Sequence, residues 1–307
     1  MKWQGREQSS NIEDRRAQGG GGFGGGGLGG GLGSNPFGTG GGYRLPSGRS
    51  GISLGGIGII VLFIIIAMAF GINPLDLLNG DLSGNNSPFS NSQTLPPQNA
   101  SEDELSQFVG VVVKDTENFW GSYFQQHGGT YSDPKVVLYS GQTSSGCGVA
   151  DSSAGPFYCP NDRKVYIDLS FYQQLRDQFG APGDFAQAYV IAHEVGHHVQ
   201  NLLGILPKFN ERRQSMSQDE ANAYSVKVEL QADCLAGMWA KGEQQYLDNG
   251  DVEEAINAAN QIGDDTLTHN SISPRQYTHG TSAQRMQWFK TGINATDVSQ
   301  CDTGIPG

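Results

Sequence analysis

Positive charge is scarce in this chain. Against 31 Asp and Glu there are 19 Lys and Arg, for a net charge of −12. The first fifty residues hold six of those bases (Lys2, Arg6, Arg15, Arg16, Arg44, Arg49) and three acids, a net of +3, so everything after residue 50 carries −15. Neutralising phosphates needs a basic face, so nucleic acid is excluded as a partner. Acidity on this scale serves solubility. Cysteine is sparse too. The four cysteines, Cys147, Cys159, Cys234 and Cys301, form no C-x-x-C pair, which excludes a zinc ribbon or a dithiol redox motif. No internal repeat is visible.

The first fifty residues also lack apolar periodicity, and 18 of the 45 glycines fall there. Such a segment cannot bury enough surface to offset the entropy of ordering, and residues 1–50 are expected to be a disordered tail. From Gly51 to Pro74 it is charge that is missing, around the core Ile59-Ile60-Val61-Leu62-Phe63-Ile64-Ile65-Ile66. That length matches the roughly 20 residues needed to cross a bilayer, so 51–74 is expected to be a transmembrane helix. No small-residue cleavage site follows Phe70, which argues against a signal peptide. Arg44 and Arg49 precede the run, while Asp76 and Asp81 follow it. The positive-inside rule then predicts a single-pass protein with its N-terminus cytoplasmic and its C-terminal part outside. An even cysteine count in a domain so placed predicts two disulfides. Three pairings are possible; Cys147 with Cys159 closes the short loop, which leaves Cys234 with Cys301.

Residues 75–100, rich in Asn, Ser, Pro and Gly, read as a linker, and 101–307 as the folded domain. Its pattern is α+β and mainly helical. A first helix runs from Ser101 to about Gln126 on Phe108, Val111, Val112, Phe119 and Tyr123. Lys135–Ser140 reads as a strand. Phe157–Cys159 and Val165–Leu169 flank the turn Pro160-Asn161-Asp162-Arg163 and predict a small antiparallel hairpin. Helices are expected at about 184–203, 218–247 and 252–262, and a last one begins at Thr281. Residues 204–216, with Arg212 and Arg213, read as a loop.

Chemistry concentrates on the second helix. His193 and His197 are four residues apart, which puts both imidazoles on one face, one turn apart, as two ligands of a tetrahedral zinc require. Glu194 stands beside the first histidine, where its carboxylate can accept a proton from water at the metal without being a ligand. Gly196 leaves room for another element to pack closely. The extended motif with Gly at 200 and His at 203 is excluded, because Gln200 and Leu203 stand there. Glu229 on the next long helix can complete a His-His-Glu set. Asp233, four residues on, can accept a hydrogen bond from a ligand histidine. The competing reading of Glu229 and Asp233 is a solvated acidic face, against which stand the apolar neighbours Leu230, Ala232, Leu235 and Ala236. His279 lies just before the last helix and is either a donor to the oxyanion of the reaction or a plain loop histidine. His198 points about 100° away from His197 and reads as structural.

With these landmarks in order, the chain resembles the bacterial "putative neutral zinc metallopeptidase" family. The resemblance rests on Asn11-Ile12-Glu13-Asp14-Arg15-Arg16 with its glycine tract and single apolar run, on Gly155-Pro156-Phe157-Tyr158-Cys159-Pro160, on HEVGHHVQ and ELQADCLAG, and on His279-Gly280-Thr281-Ser282-Ala283-Gln284-Arg285. It implies a zincin-like fold, one zinc per chain on His193, His197 and Glu229, and Glu194 as base. With the topology above it also implies a bacterial cytoplasmic-membrane protein whose domain is periplasmic or extracellular and whose partners are peptide or protein substrates and the lipid bilayer. Two functions follow: a zinc peptidase, or a catalytically silent zinc-stabilised cell-surface scaffold. Glu194 favours the enzyme, because a structural zinc site has no need of an acid there.

Overall fold

A computed structural model describes residues 1–18 and 100–305. Its first half comprises Ile12–Asp14 (β1), Ala100–Gln126 (α1), Lys135–Tyr139 (β2), Gln142–Ser145 (β3), Gly148–Asp151 (β4), Phe157–Cys159 (β5) and Lys164–Asp168 (β6). The second half is helical: Ser170–Asp177 (α2), Asp184–Leu202 (α3), Ile205–Arg212 (α4), Gln218–Gly242 (α5), Asp251–Gln261 (α6), Asp264–Leu267 (α7) and Ser282–Asn294 (α8).

In β2 and β6 the residues Val136–Tyr139 and Val165–Asp168 are all buried, without the alternation of a half-exposed strand. Strands covered on both faces are those that pair in parallel, and β2 and β6 do so, with Val137 opposite Tyr166. The predicted hairpin is present as β5 antiparallel to β6, but it is one edge of a mixed four-stranded sheet in the order β1-β2-β6-β5. The expectation of a small antiparallel element is therefore corrected. Two parallel pairings, β1 with β2 and β2 with β6, join segments far apart in sequence, which no local turn signal announces.

The N-terminus is corrected as well. Residues 1–18 are part of the domain. The Met1 ammonium lies 2.7 Å from Asp184, Arg6 lies 2.6 Å from Asp115 and over the Tyr246 ring, and β1 extends the sheet. Arg15 and Arg16 are taken up by Glu13 and Asp14. Residues 1–18 and 100–305 thus pack as one body, which is incompatible with their lying on opposite sides of a bilayer. Among the described residues no helix is long and apolar enough to cross a membrane. The expected transmembrane helix at 51–74, the linker and most of the glycine tract lie outside the described residues.

The helical half packs around α3, whose Phe185, Tyr189, Ile191, Val195 and Val199 are fully enclosed. The close crossing of α5 and α8 depends on two glycines. A Cβ at Gly292 would lie 1.9 Å from the Cys234 carbonyl oxygen, and one at Gly237 would lie 2.2 Å from that of Phe289. The helix expected to run to 247 ends at Gly242, where a side chain would strike Phe119. The expected loop at 204–216 contains α4. Pro207 stands in the first turn of α4, where no backbone donor is needed, and Leu206 and Phe209, three apart, are buried. The disulfides Cys147–Cys159 and Cys234–Cys301 are both formed.

Candidate metal centre

Helices α3 and α5 pack face to face because Gly196 lets them. A Cβ there would meet the Ala232 carbonyl oxygen at 3.0 Å. This approach brings Glu229 of α5 under both imidazoles of α3. His193 Nε2 lies 3.1 Å from Glu229 Oε2, and His197 Nε2 lies 3.5 Å from Glu229 Oε1. Donors about 2.1 Å from a tetrahedral zinc are separated by roughly 3.4 Å, so the set fits zinc on its own geometry. All three donor atoms fall within 4.8 Å of one another, and these residues could hold a metal ion.

The outer nitrogen of each imidazole is tied down, which aims the inner one. His193 Nδ1 donates to Asp233 Oδ1 at 2.8 Å. His197 Nδ1 donates to Gln200 Oε1 at 2.9 Å. The Gln200 amide is oriented by its own Nε2, which donates to the Val228 carbonyl and to Gln231 Oε1. Asp233 has no exposed surface and is itself held by a two-pronged contact. Arg285 Nε and Nη2 each donate to it at 2.9 Å, and the Tyr189 hydroxyl donates at 2.5 Å. Burial alone would push the Asp233 carboxyl up, but the Arg285 guanidinium and His193 outweigh it and hold its pKa at about 2. Burial likewise opposes charge on His193, yet Asp233 and Glu229 raise its pKa to about 10. A field that retains a proton so firmly also favours a dication between these donors.

Glu194 is buried on the same face of the cluster, and that burial raises its pKa against the pull of His197 and His193. It lines a cavity of about 320 Å³ together with His193, His197, Glu229 and His279. The cavity is also lined by Gly155–Tyr158, which includes the start of the edge strand β5, and by the apolar side chains Phe171, Phe179, Val190 and Ile262. His279 reaches the cavity because Asp264 folds the 278–280 loop around itself. Asp264 Oδ2 accepts the backbone N–H groups of Thr278, His279 and Gly280 at 2.7, 2.7 and 3.0 Å. Its Oδ1 accepts from His279 Nδ1 at 3.1 Å. Burial works against charge on His279, but Asp264 and Glu229 raise its pKa. His198 stands apart from the metal cluster, bonded to the Tyr158 hydroxyl and the Ser132 carbonyl.

The residues singled out from sequence, His193, Glu194, His197, Glu229, Asp233 and His279, are thus brought together. Three participants were not anticipated: Gln200, Arg285 and Asp264. Arg285 had a usable signal. With Ser282, Phe289 and Gly292 it lies on the buried stripe of α8, an unexpected place for a charge. Asp264 and Gln200 carry no such local signal, because the groups they hold are set by the docking of other elements. The Cys234–Cys301 disulfide anchors α5 directly beside Asp233.

Over residues 1–304 the chain matches the family "Putative neutral zinc metallopeptidase", and it belongs to that family. It is 46% identical over 308 residues to "Uncharacterized protein YpfJ" of Escherichia coli (strain K12), covering 99% of this chain and 98% of that protein. It is 41% identical over 216 residues to "Uncharacterized protein Rv2575" of Mycobacterium tuberculosis (strain ATCC 25618 / H37Rv), covering 65% of this chain and 72% of the relative. No solved structure matches.

Proposed function

We propose that this member of the family is a peptidase that holds one zinc on His193, His197 and Glu229 and uses Glu194 as its general base. The observation that carries this reading is the pair of imidazoles whose Nε2 atoms both face Glu229 while Asp233 and Gln200 bind the opposite nitrogens. A zinc ion held there supplies Lewis acidity to the scissile carbonyl and to the attacking water. Glu194 takes the proton of that water on its carboxylate and returns it to the leaving amine; its raised pKa brings it closer to the operating pH, which suits a group that must both accept and donate. His279, tied through Nδ1 to Asp264, has Nε2 left for the carbonyl oxygen as negative charge develops on it. Strand β5 is an edge of the four-stranded sheet and borders the cavity, so an extended substrate can lie alongside it in the manner of an added strand.

The decisive experiment pairs metal analysis with a peptide-library digest. Wild type is expected to hold one zinc per chain and to cleave. Glu194→Gln should keep the zinc and lose roughly 10²–10⁴-fold in turnover. Loss of zinc in that variant would make Glu194 a ligand and overturn its assigned role. A zinc-loaded wild type that cleaves nothing would overturn the peptidase reading.

A further inference from the structure

We infer that Arg213 is the point at which the cleft recognises a carboxylate of its peptide substrate, an inference that rests on the peptidase reading and narrows it to a substrate class. Arg213 ends α4 and opens the turn leading into α5. Its guanidinium carbon lies 5.3 Å from the centre of the Phe209 ring, and Phe209 stacks on Tyr224 of α5 with centroids 4.7 Å apart. Phe209 is buried, so this aromatic stack holds the half-buried guanidinium against the wall instead of leaving it in solvent. Arg213 lines the same cavity as His193, Glu194 and Glu229.

What sets Arg213 apart is the lack of a carboxylate. The cavity's other guanidinium, Arg285, is fully engaged with Asp233. Among the described residues no acid forms an ion pair with Arg213, and burial alone acts on its pKa, lowering it. Its cavity neighbours Gln218, Asn222 and Ser225 are neutral. In a chain with 31 acids to 19 bases, a partly desolvated cation left without an acid is a cost that a carboxylate arriving with the substrate removes. The fork of guanidinium donors also matches a carboxylate in two contacts.

Position sets where that carboxylate sits. Gln218, Asn222, Ser225 and Glu229 line the cleft along one face of α5, eleven residues from first to last. The acid is therefore read along this face of α5, beside the Phe209–Tyr224 stack that carries Arg213. It can be an Asp or Glu side chain within a longer peptide, or the terminal carboxylate of a short one.

The test uses the zinc-loaded full chain and matched peptides. One pair differs by Glu against Gln at successive positions around a cleaved bond, and the other by a free against an amidated C-terminus. Cleavage is followed on wild type, and binding on Glu194→Gln. The expected result is a preference of roughly tenfold or more for one acid over its amide, greatest at one position along the peptide. Arg213→Gln should bring that ratio close to one, and Arg213→Lys should keep part of it. Arg213→Glu should reverse it in favour of lysine-bearing peptides, a result that misfolding cannot produce. Side-chain discrimination with indifference to amidation assigns an internal acid; the converse assigns the terminus. Cleavage with equal use of acid and amide overturns the inference and leaves the peptidase reading standing. Acid-selective, Arg213-dependent binding without cleavage by wild type upholds the role of Arg213 and overturns the peptidase reading. Neither binding nor cleavage of any matched peptide overturns both.

Discussion

The two walls of the metal cleft reach the same end, a fixed imidazole, by opposite routes. On α3, His193, Glu194 and His197 come from five consecutive residues, and Gln200, which orients His197, is one turn further along the same helix. On the other side nothing is local. Asp233 of α5 is gripped by Arg285 of α8, 52 residues away, and His279 is set by Asp264 across 15 residues. The spacing of the first wall exists whenever the helix forms, although Gln200 is itself steadied by Val228 and Gln231 of α5. The second exists only if α5, α8 and the 278–280 loop have docked, so its charged contacts couple the centre to the stability of the whole domain.

That difference can be tested from the most to the least disruptive change. Arg285→Met leaves Asp233 buried without its main cation, and breaking a buried pair in this way typically costs about 3–5 kcal/mol. Urea titration should show that loss and zinc titration a weaker site. Adding Asp233→Asn to it should recover part of the stability, because the stranded charge is then gone. If Arg285→Met unfolds like wild type, the contrast between the walls fails.

Asp264→Asn removes a charge-assisted contact worth about 1.5–3 kcal/mol, and the loss should depend on pH. Asp264 is held below its ordinary 3.8 and His279 above its ordinary 6.5. A lowered carboxyl contributes above its unfolded value and loses that contribution as pH falls through the folded one. A raised histidine contributes below its unfolded value and loses it as pH rises through the folded one. The deficit of the variant should therefore be full between about pH 4 and 6.5 and shrink at higher pH. A deficit that grows with pH, measured by denaturation at several pH values, would contradict the pair. The smallest effect is expected on the local wall. Gln200→Met should weaken zinc by about tenfold, the low end for a group behind a ligand, with little change in urea midpoint. A stability loss as large as that of Arg285→Met would erase the distinction.

What was legible in the sequence follows the same division. The spacing of His193 and His197, the capping boxes at Ser217–Glu220 and Thr281–Gln284 and the β5–β6 turn are local, and each is present. Glu229 and Asp233 were reachable because a four-residue spacing is itself helical. Asp264 was not, since its partners lie on another element, and Arg285 offered only its place on the buried stripe of α8, without naming its partner. By composition the basic residues of the first sixteen positions are a charge bias on a tail, whereas in the fold Arg6, Arg15 and Arg16 are spent on Asp115, Glu13 and Asp14.

The helix carrying the two histidines and their acid follows from residue order alone, along with the chemistry those donors can support, because helical periodicity converts a spacing of four into a shared face. Packing between distant elements settles that residues 1–18 complete the sheet, that Arg285 neutralises Asp233 and that Asp264 shapes the loop of His279. It also decided that Arg213 faces the cleft with no acid beside it among the described residues. Those outcomes depend on which elements dock, and here docking turns on glycines at 196, 237 and 292, whose missing side chains allow backbones to touch.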